Sequence, residues 1–339
     1  MWTLDPAAGP ESDRGLEICW KVCYNHVLVS ASTPQNHPLL FRSKGLMTRT
    51  AVAFVSVVAL SSHSAAVRGA APSPSLIPAL ARRIPVRPPR ALTGSQFADA
   101  VEHVDTGTRE QSILEQILDG NIPSFLTGLV PVAMSDRGRT VTVFVMPDYL
   151  AIGSDDDFLR VPMNLATATA IADRFGFVLP TRKMVNAVYV QSGHHFPPAP
   201  LPAGPRMTST DYYRMHNALI EQQARAGEVA PGTLVSGHKK DVVLTNLLAR
   251  TPGRIAIYGW HRHEGAPIQP LSTVHGACYA DYSHGIRLVA DRAWVDGELR
   301  PVRDILGDSS LAPTISDEGP IHFAAATPSC RRPEARTVN

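Results

Sequence analysis

From Thr93 onward the apolar positions fall at helical spacing, and beyond Gly232 they shorten into brief runs. Phe97, Ala100, Val101 and Val104 share one helical face, and Thr93 with Gln96 has the spacing of a capping box. Arg109–Leu118 repeats the pattern with Ile113, Leu114, Ile117 and Leu118, and Gly120 closes it. Thr140–Met146 alternates β-branched and apolar residues and predicts a strand that ends at Pro147. Short strands are expected at Tyr149–Ile152 and Phe158–Val161, flanking the acidic turn Ser154–Asp157.

Asn164 is an expected N-cap for a helix through Phe175, stopped by Gly176. Leu179–Gln191 predicts a second helix burying Met184, Val185, Val188 and Tyr189. Ser209–Gly227 predicts the longest, with Tyr213, His216, Leu219 and Ile220 inward. The texture then changes to strands at Thr233–Ser236, Val242–Thr245, Arg254–Tyr258 and Ile286–Ala290. Helices first and strands later imply an α+β fold: a helical N-terminal half packed on a mainly antiparallel, strand-rich C-terminal half.

The start of the chain reads differently. Met47–Ala66 has a positive Arg49, a mainly apolar run Ala51–Leu60 and then small residues, the three-part pattern of a secretory signal peptide. Residues 1–46 are therefore expected to be a mis-annotated extension and 47–66 the signal peptide. Residues 67–92 are expected as a Pro-rich linker, because Ala71–Arg90 holds six prolines. One globular domain is expected over 93–323, with a loose tail over 324–339. The location implied is secreted, periplasmic or cell-envelope, with no stable membrane span after cleavage.

Composition narrows the function. Lys plus Arg is 32 against Asp plus Glu 30, and this balance argues against a nucleic-acid partner. At 44% apolar the chain has enough material for a core. Cys19 and Cys23 lack a second pair to complete a zinc site. Cys278 and Cys330 are left as either a disulfide or a free, reactive Cys278.

Eight of the 13 histidines lie between 194 and 284, and histidine suits both proton transfer and metal binding near neutral pH. His216, on the apolar face of its helix, is expected to pack. Three segments are expected to form a site: 236–241, 258–264 and 275–284. Its catalytic candidates are His238, Asp241, His261, His275, Asp281, Ser283 and His284. Its substrate-binding candidates are Lys239, Tyr258, Trp260, Tyr279, Tyr282 and Arg287. Three mechanisms are open. The first is acid–base or nucleophilic hydrolysis, with His284 or His275 as base, Asp281 orienting it, and Ser283 or Cys278 as nucleophile. The second is a zinc-dependent hydrolase using His261, His275 and His284, or His238 in place of one of them. The third is a lyase-type site in which Tyr279 or Tyr282 and a histidine move protons on a polysaccharide.

Ser283–Leu288 reads SHGIRL, and His275–Gly276 precedes it. This resembles the active-site segment of the secreted L,D-transpeptidases, where an upstream His-Gly is followed by SHGC and then Ile-Arg. The resemblance implies cell-wall chemistry on a mainly β catalytic domain with a cysteine nucleophile; at the position of that cysteine this chain carries Ile286. The combined expectation is an exported enzyme of hydrolase type acting on an extracellular or cell-wall polymer, glycan or peptidoglycan. The competing class is a non-catalytic exported protein that binds a glycan or peptide. N-terminal sequencing of the secreted protein should begin near residues 65–70; a mature chain that retains Cys19 and Cys23 would overturn the export expectation.

Overall fold

The computed structural model describes residues 75–322 together with Cys330. The chain divides at residue 68, and the described residues all belong to the second unit, 69–339. The extension, the signal peptide, Cys19 and Cys23, and most of the tail lie outside the described residues. Among the described residues no helix is long and apolar enough to cross a membrane.

The fold is α+β, with most helices before residue 227 and antiparallel sheets dominating after it. Residues 75–92, expected within a linker, carry helix α1 (Leu76–Ala81) and place Ala81 and Ile84 in the main core. The prolines there end the helix early without keeping the segment off the domain. Helix α2 (Gly94–Ala100) opens with the expected capping box, Thr93 and Gln96 satisfying each other's backbone N–H groups. Helix α3 (Thr106–Leu118) starts three residues earlier than expected, because the Asp105 carboxylate accepts from Gly107 N and Thr108 N.

Strands β1 (Val130–Asp136) and β2 (Arg139–Val145) form a hairpin. Strands β3 (Ala151–Gly153) and β4 (Phe158–Arg160) form a smaller one. The acidic turn between β3 and β4 is structural: Asp155 receives Ser124 N and Asp157 receives Ser95 N. Helix α4 (Leu165–Phe175) is capped by Asn164 and ends at Gly176, whose φ of 79° is left-handed. Strand β5 (Phe177–Val178), helix α5 (Arg182–Gln191, capped by Thr181), strand β6 (His194–His195) and helix α6 (Thr210–Ala226, capped by Ser209) follow.

The strand-rich half comprises β7 (Val235–Ser236), β8 (Lys240–Val242), α7 (Leu247–Arg250), β9 (Ile257–His261), β10 (Pro267–Ser272), β11 (His284–Gly285), β12 (Val289–Ala290), β13 (Arg292–Val295) and β14 (Glu298–Pro301), then helices α8 (Val302–Gly307) and α9 (Ala312–Ile315). The larger sheet runs β14-β13-β2-β12-β5 with β1 also on β2. Its central strand is covered on both faces. Val141, Val143 and Val145 pack with α8 and α9, while Phe144 packs in the core that holds α3 and α4. That split follows the two-residue period of a strand, and each such side chain contributes about 1.5–3 kcal/mol on burial.

The smaller sheet, β10-β9-β8-β11, carries many of the candidate site residues. Its β8–β11 pair is parallel, with Lys240 opposite His284 and Asp241 opposite Gly285. A Cβ on Gly285 would lie 2.6 Å from the Tyr149 ring and 2.7 Å from Lys239 Cβ. Only a bare Cα lets Tyr149 and Lys239 approach this strand. Gly285→Ala should lower stability by about 1–3 kcal/mol through this overpacking, read as a fall in the urea midpoint; an unchanged midpoint would show that Tyr149 yields freely.

Candidate functional site

The residues from His238 to Asp241 and from Asp281 to Arg287 are all buried. Their side chains diverge from the β8–β11 pair into separate groups, so the expected single site resolves into distinct networks.

The first centres on Asp281. Its Oδ1 accepts from Ser283 N at 2.8 Å and from Ser283 Oγ at 2.5 Å, and its Oδ2 accepts from Tyr279 Oη at 3.2 Å. His284 Nε2 lies 3.9 Å from Oδ2. Burial pushes the Asp281 carboxyl pKa up, but His284, Lys240 and the Ser283 bonds outweigh it and hold it well below the usual range. Asp281 is therefore ionised at neutral pH. His284 is fully buried and neither ring nitrogen has a hydrogen-bond partner. Burial lowers its pKa to about 4 against the pull of Asp281, with Lys240 adding to the decrease, so it is a neutral imidazole at neutral pH. His275 and Tyr279 stack at 4.4 Å and border it at 6.0 and 5.7 Å between ring centroids. Both are partly exposed, which puts the rim of this network at the surface.

The second holds His238. Its Nε2 donates to Asp148 Oδ1 at 3.0 Å, and Arg160 donates to Asp148 Oδ2 from Nε and Nη2 at 2.9 and 2.6 Å. Arg160 also reaches Asn217 and Glu221. Burial would raise the Asp148 pKa, but Arg160 and then His238 hold it well below the ordinary value. His238 is brought down to about 4, chiefly by burial.

The third holds Asp241, which accepts from Tyr149 Oη at 2.8 Å. Burial raises its pKa to about 6, with Arg287 and Tyr149 opposing. Arg287 lies over the Tyr149 ring at 4.5 Å and donates to the carbonyls of Met146 and Val235. Arg287 and Asp241 thus tie strands together. Lys239 donates to the Tyr282 carbonyl at 2.6 Å, and burial with the nearby Arg160 lowers its pKa to about 7.

The fourth holds His261 and Tyr258, which share Asn186 Oδ1 at 3.2 and 2.8 Å. Tyr189 is stacked between His261 and His195, at 4.7 and 4.1 Å. Burial, then His195, lowers the His261 pKa to about 4.

Several expectations change accordingly. Among the described residues no group of three or more His, Cys, Asp and Glu is set to hold a metal. His261 belongs to the Asn186 network, apart from His275 and His284, so the proposed zinc set does not assemble. Cys278 is bonded to Cys330, with Cα atoms 5.4 Å apart, which removes it as a thiol nucleophile. The Ser283 hydroxyl gives its proton to Asp281 and receives nothing from His284, so Ser283, His284 and Asp281 do not form a nucleophilic triad. Ile286, at the transpeptidase-like cysteine position, is fully buried in the main core.

His216 packs as expected against Tyr282 and Trp260, at 5.0 and 6.3 Å, with both nitrogens unpaired. Arg160 is a buried ion-pair centre. Asp148, Tyr149 and Asn186 were not anticipated at all. The one signal for the first two is their position directly after a strand ended by Pro147, where loops carry functional groups. No protein-family model, curated protein or solved structure matches the chain.

The neutral histidines set the pH response. His238, His261 and His284 titrate near 4 when folded, below the ordinary 6.5. The unfolded chain therefore binds more protons than the folded one between these values. The stability is complete above pH 6.5 and is lost as pH falls towards 4. Asp241, raised to about 6, acts oppositely over the same window, and the lowered His216 adds to the histidine side. The net uptake on unfolding is at least about two protons near pH 5, or roughly 3 kcal/mol per pH unit. Denaturant midpoints should fall steeply from pH 6.5 to 4.5, and less steeply in His238→Gln/His284→Gln; a flat wild-type profile would contradict neutral buried histidines.

Proposed function

We propose that this protein is an exported hydrolase acting on an extracellular or cell-wall polymer, with His284 as the proton-transfer group. The observation that carries the reading is the buried, neutral, unpartnered His284 beside the ionised Asp281. Buried imidazole nitrogens are normally hydrogen-bonded, and unpaired ones of this kind suit a base whose partner arrives with the substrate. The partly exposed His275 and Tyr279 border it on the side nearer the surface. The polymer class rests on the signal-like segment Met47–Ala66 and on the SHGIRL resemblance.

The chemistry follows from the charges. His284 takes a proton from an attacking water as the new carbon–oxygen bond forms. Asp281 stabilises the imidazolium for that interval. The bond to the leaving group breaks, and the imidazolium returns the proton to it. Ser283 and Tyr279 orient Asp281 through their hydroxyl donors and touch no reacting atom.

A second reading, a non-catalytic glycan- or peptide-binding protein, is favoured by the separation of His238 and His261 from His284 into other networks. The test incubates the purified protein with peptidoglycan and with extracellular polysaccharide and measures new reducing ends and free amines. His284→Gln should lower kcat by about 10²–10⁴-fold, the range for general acid–base catalysis. Ser283→Ala should retain turnover within about tenfold, because it is not the nucleophile. Saturable binding without turnover selects the second reading, and an active His284→Gln overturns the role of His284.

A further inference from the structure

We infer that the group seated beside His284 is a carboxylate, anchored by the Lys240 ammonium. This rests on the reading of His284 as the reactive group and names the class of substrate it serves.

Lys240 is only 8% exposed. Its ammonium makes no hydrogen bond or ion pair with any described residue, and it lies over the Trp260 ring at 5.1 Å from the centroid. A lysine whose stem is covered and whose ammonium has no anionic partner leaves that charge available to an incoming anion. Its neighbour Lys239 shows the ordinary solution, donating to the Tyr282 carbonyl. Asp281 is near enough to feel Lys240 but forms no ion pair with it, its oxygens already receiving from Ser283 and Tyr279.

Trp260 gives independent support. Its Nε1–H is buried with no acceptor. Its backbone has φ of 54°, a left-handed conformation that bulky residues rarely adopt and that collects at functional positions. That conformation holds the indole against Lys240. Lys240 is also the register partner of His284, whose nitrogens are both unpaired.

The Lys240 ammonium and the buried Trp260 N–H are two donors without acceptors, one of them charged, and suit an acceptor-only anion. A carboxylate has two oxygens to offer, one for each. A monoanion is selected because the ionised Asp281 repels a second negative charge, which disfavours a phosphate dianion. The substrate is then an acidic polymer or chain end, such as a uronate unit or a peptide carboxyl terminus.

The full-length ¹⁵N-labelled protein should be titrated with sodium acetate against sodium chloride at constant ionic strength. The readout is the Trp260 indole resonance, assigned by its loss in Trp260→Phe. Acetate is expected to shift it saturably, and Lys240→Met should weaken that binding at least tenfold. Inorganic phosphate at pH 8 should bind more weakly than acetate. Absence of a saturable shift, equal acetate affinity in Lys240→Met, or tighter binding of phosphate would each overturn the inference. His284→Gln should keep acetate binding while losing turnover. Failure of the hydrolase reading therefore appears as missing turnover with acetate binding intact, and failure of this inference as missing acetate binding.

Discussion

Taking a carboxylate out of water costs several kcal/mol unless hydrogen bonds and opposite charges replace its hydration, and the β8–β11 region does this to Asp148, Asp241 and Asp281 together. Much of the surrounding structure answers that requirement. Arg160 is buried because Asp148 needs a cation. Tyr149 approaches Asp241 because it can give a hydroxyl proton. Ser283 turns its hydroxyl away from His284 because Asp281 takes it. Gly285 is small because Tyr149 and Lys239 must both pass that strand. Removing one partner would leave an uncompensated charge in the core, which is far more damaging than losing a surface pair.

The same burial sets the protonation states. Desolvation opposes charge on every ionisable group, so the histidines here stay neutral and Lys239 falls to about 7. Where a neighbouring carboxylate supplies an acceptor, as Asp148 does for His238 Nε2, the result is a hydrogen-bonded pair. Where compensation is partial, groups remain open to a guest. His284, Lys240 and Trp260 are of the second kind, and they adjoin the stacked, partly exposed His275 and Tyr279. In the proposed function, stability and chemistry divide the same stretch of chain, with Arg287 and Asp241 bonded to neighbouring segments and the Asp281–His284 group assigned to proton transfer.

Much of the helical half was legible before folding, because its determinants are local. Caps at Thr93, Asn164 and Ser209 act within one turn, and the apolar faces of α4 and α6 repeat every three to four residues. The strands were less legible. β8 and β9 lie two or three residues away from the expected spans, and the β13–β14 hairpin was not anticipated. Their pairing joins residues far apart in sequence, and a register is set by the partner strand and the core that both face. The candidate site divides in the same way. Asp281, Ser283 and His284 sit within four residues and were visible as a cluster. Asp148, Arg160 and Asn186 come from other elements, and only the folding of β3, β4 and α5 against the second sheet brings them in.

By itself, then, the chain determined an α+β order of elements, the helix boundaries set by capping side chains, and the concentration of histidines between 194 and 284. Periodicity and local hydrogen bonding suffice for these. Tertiary structure alone decided which histidine meets which carboxylate. It placed His238 with Asp148, His261 with Asn186 and His284 with Asp281, and it closed Cys278 onto Cys330. It also set Lys240 over the Trp260 ring. Those outcomes depend on distance and on exclusion of water, and neither quantity exists until distant strands have paired and the core has closed around them.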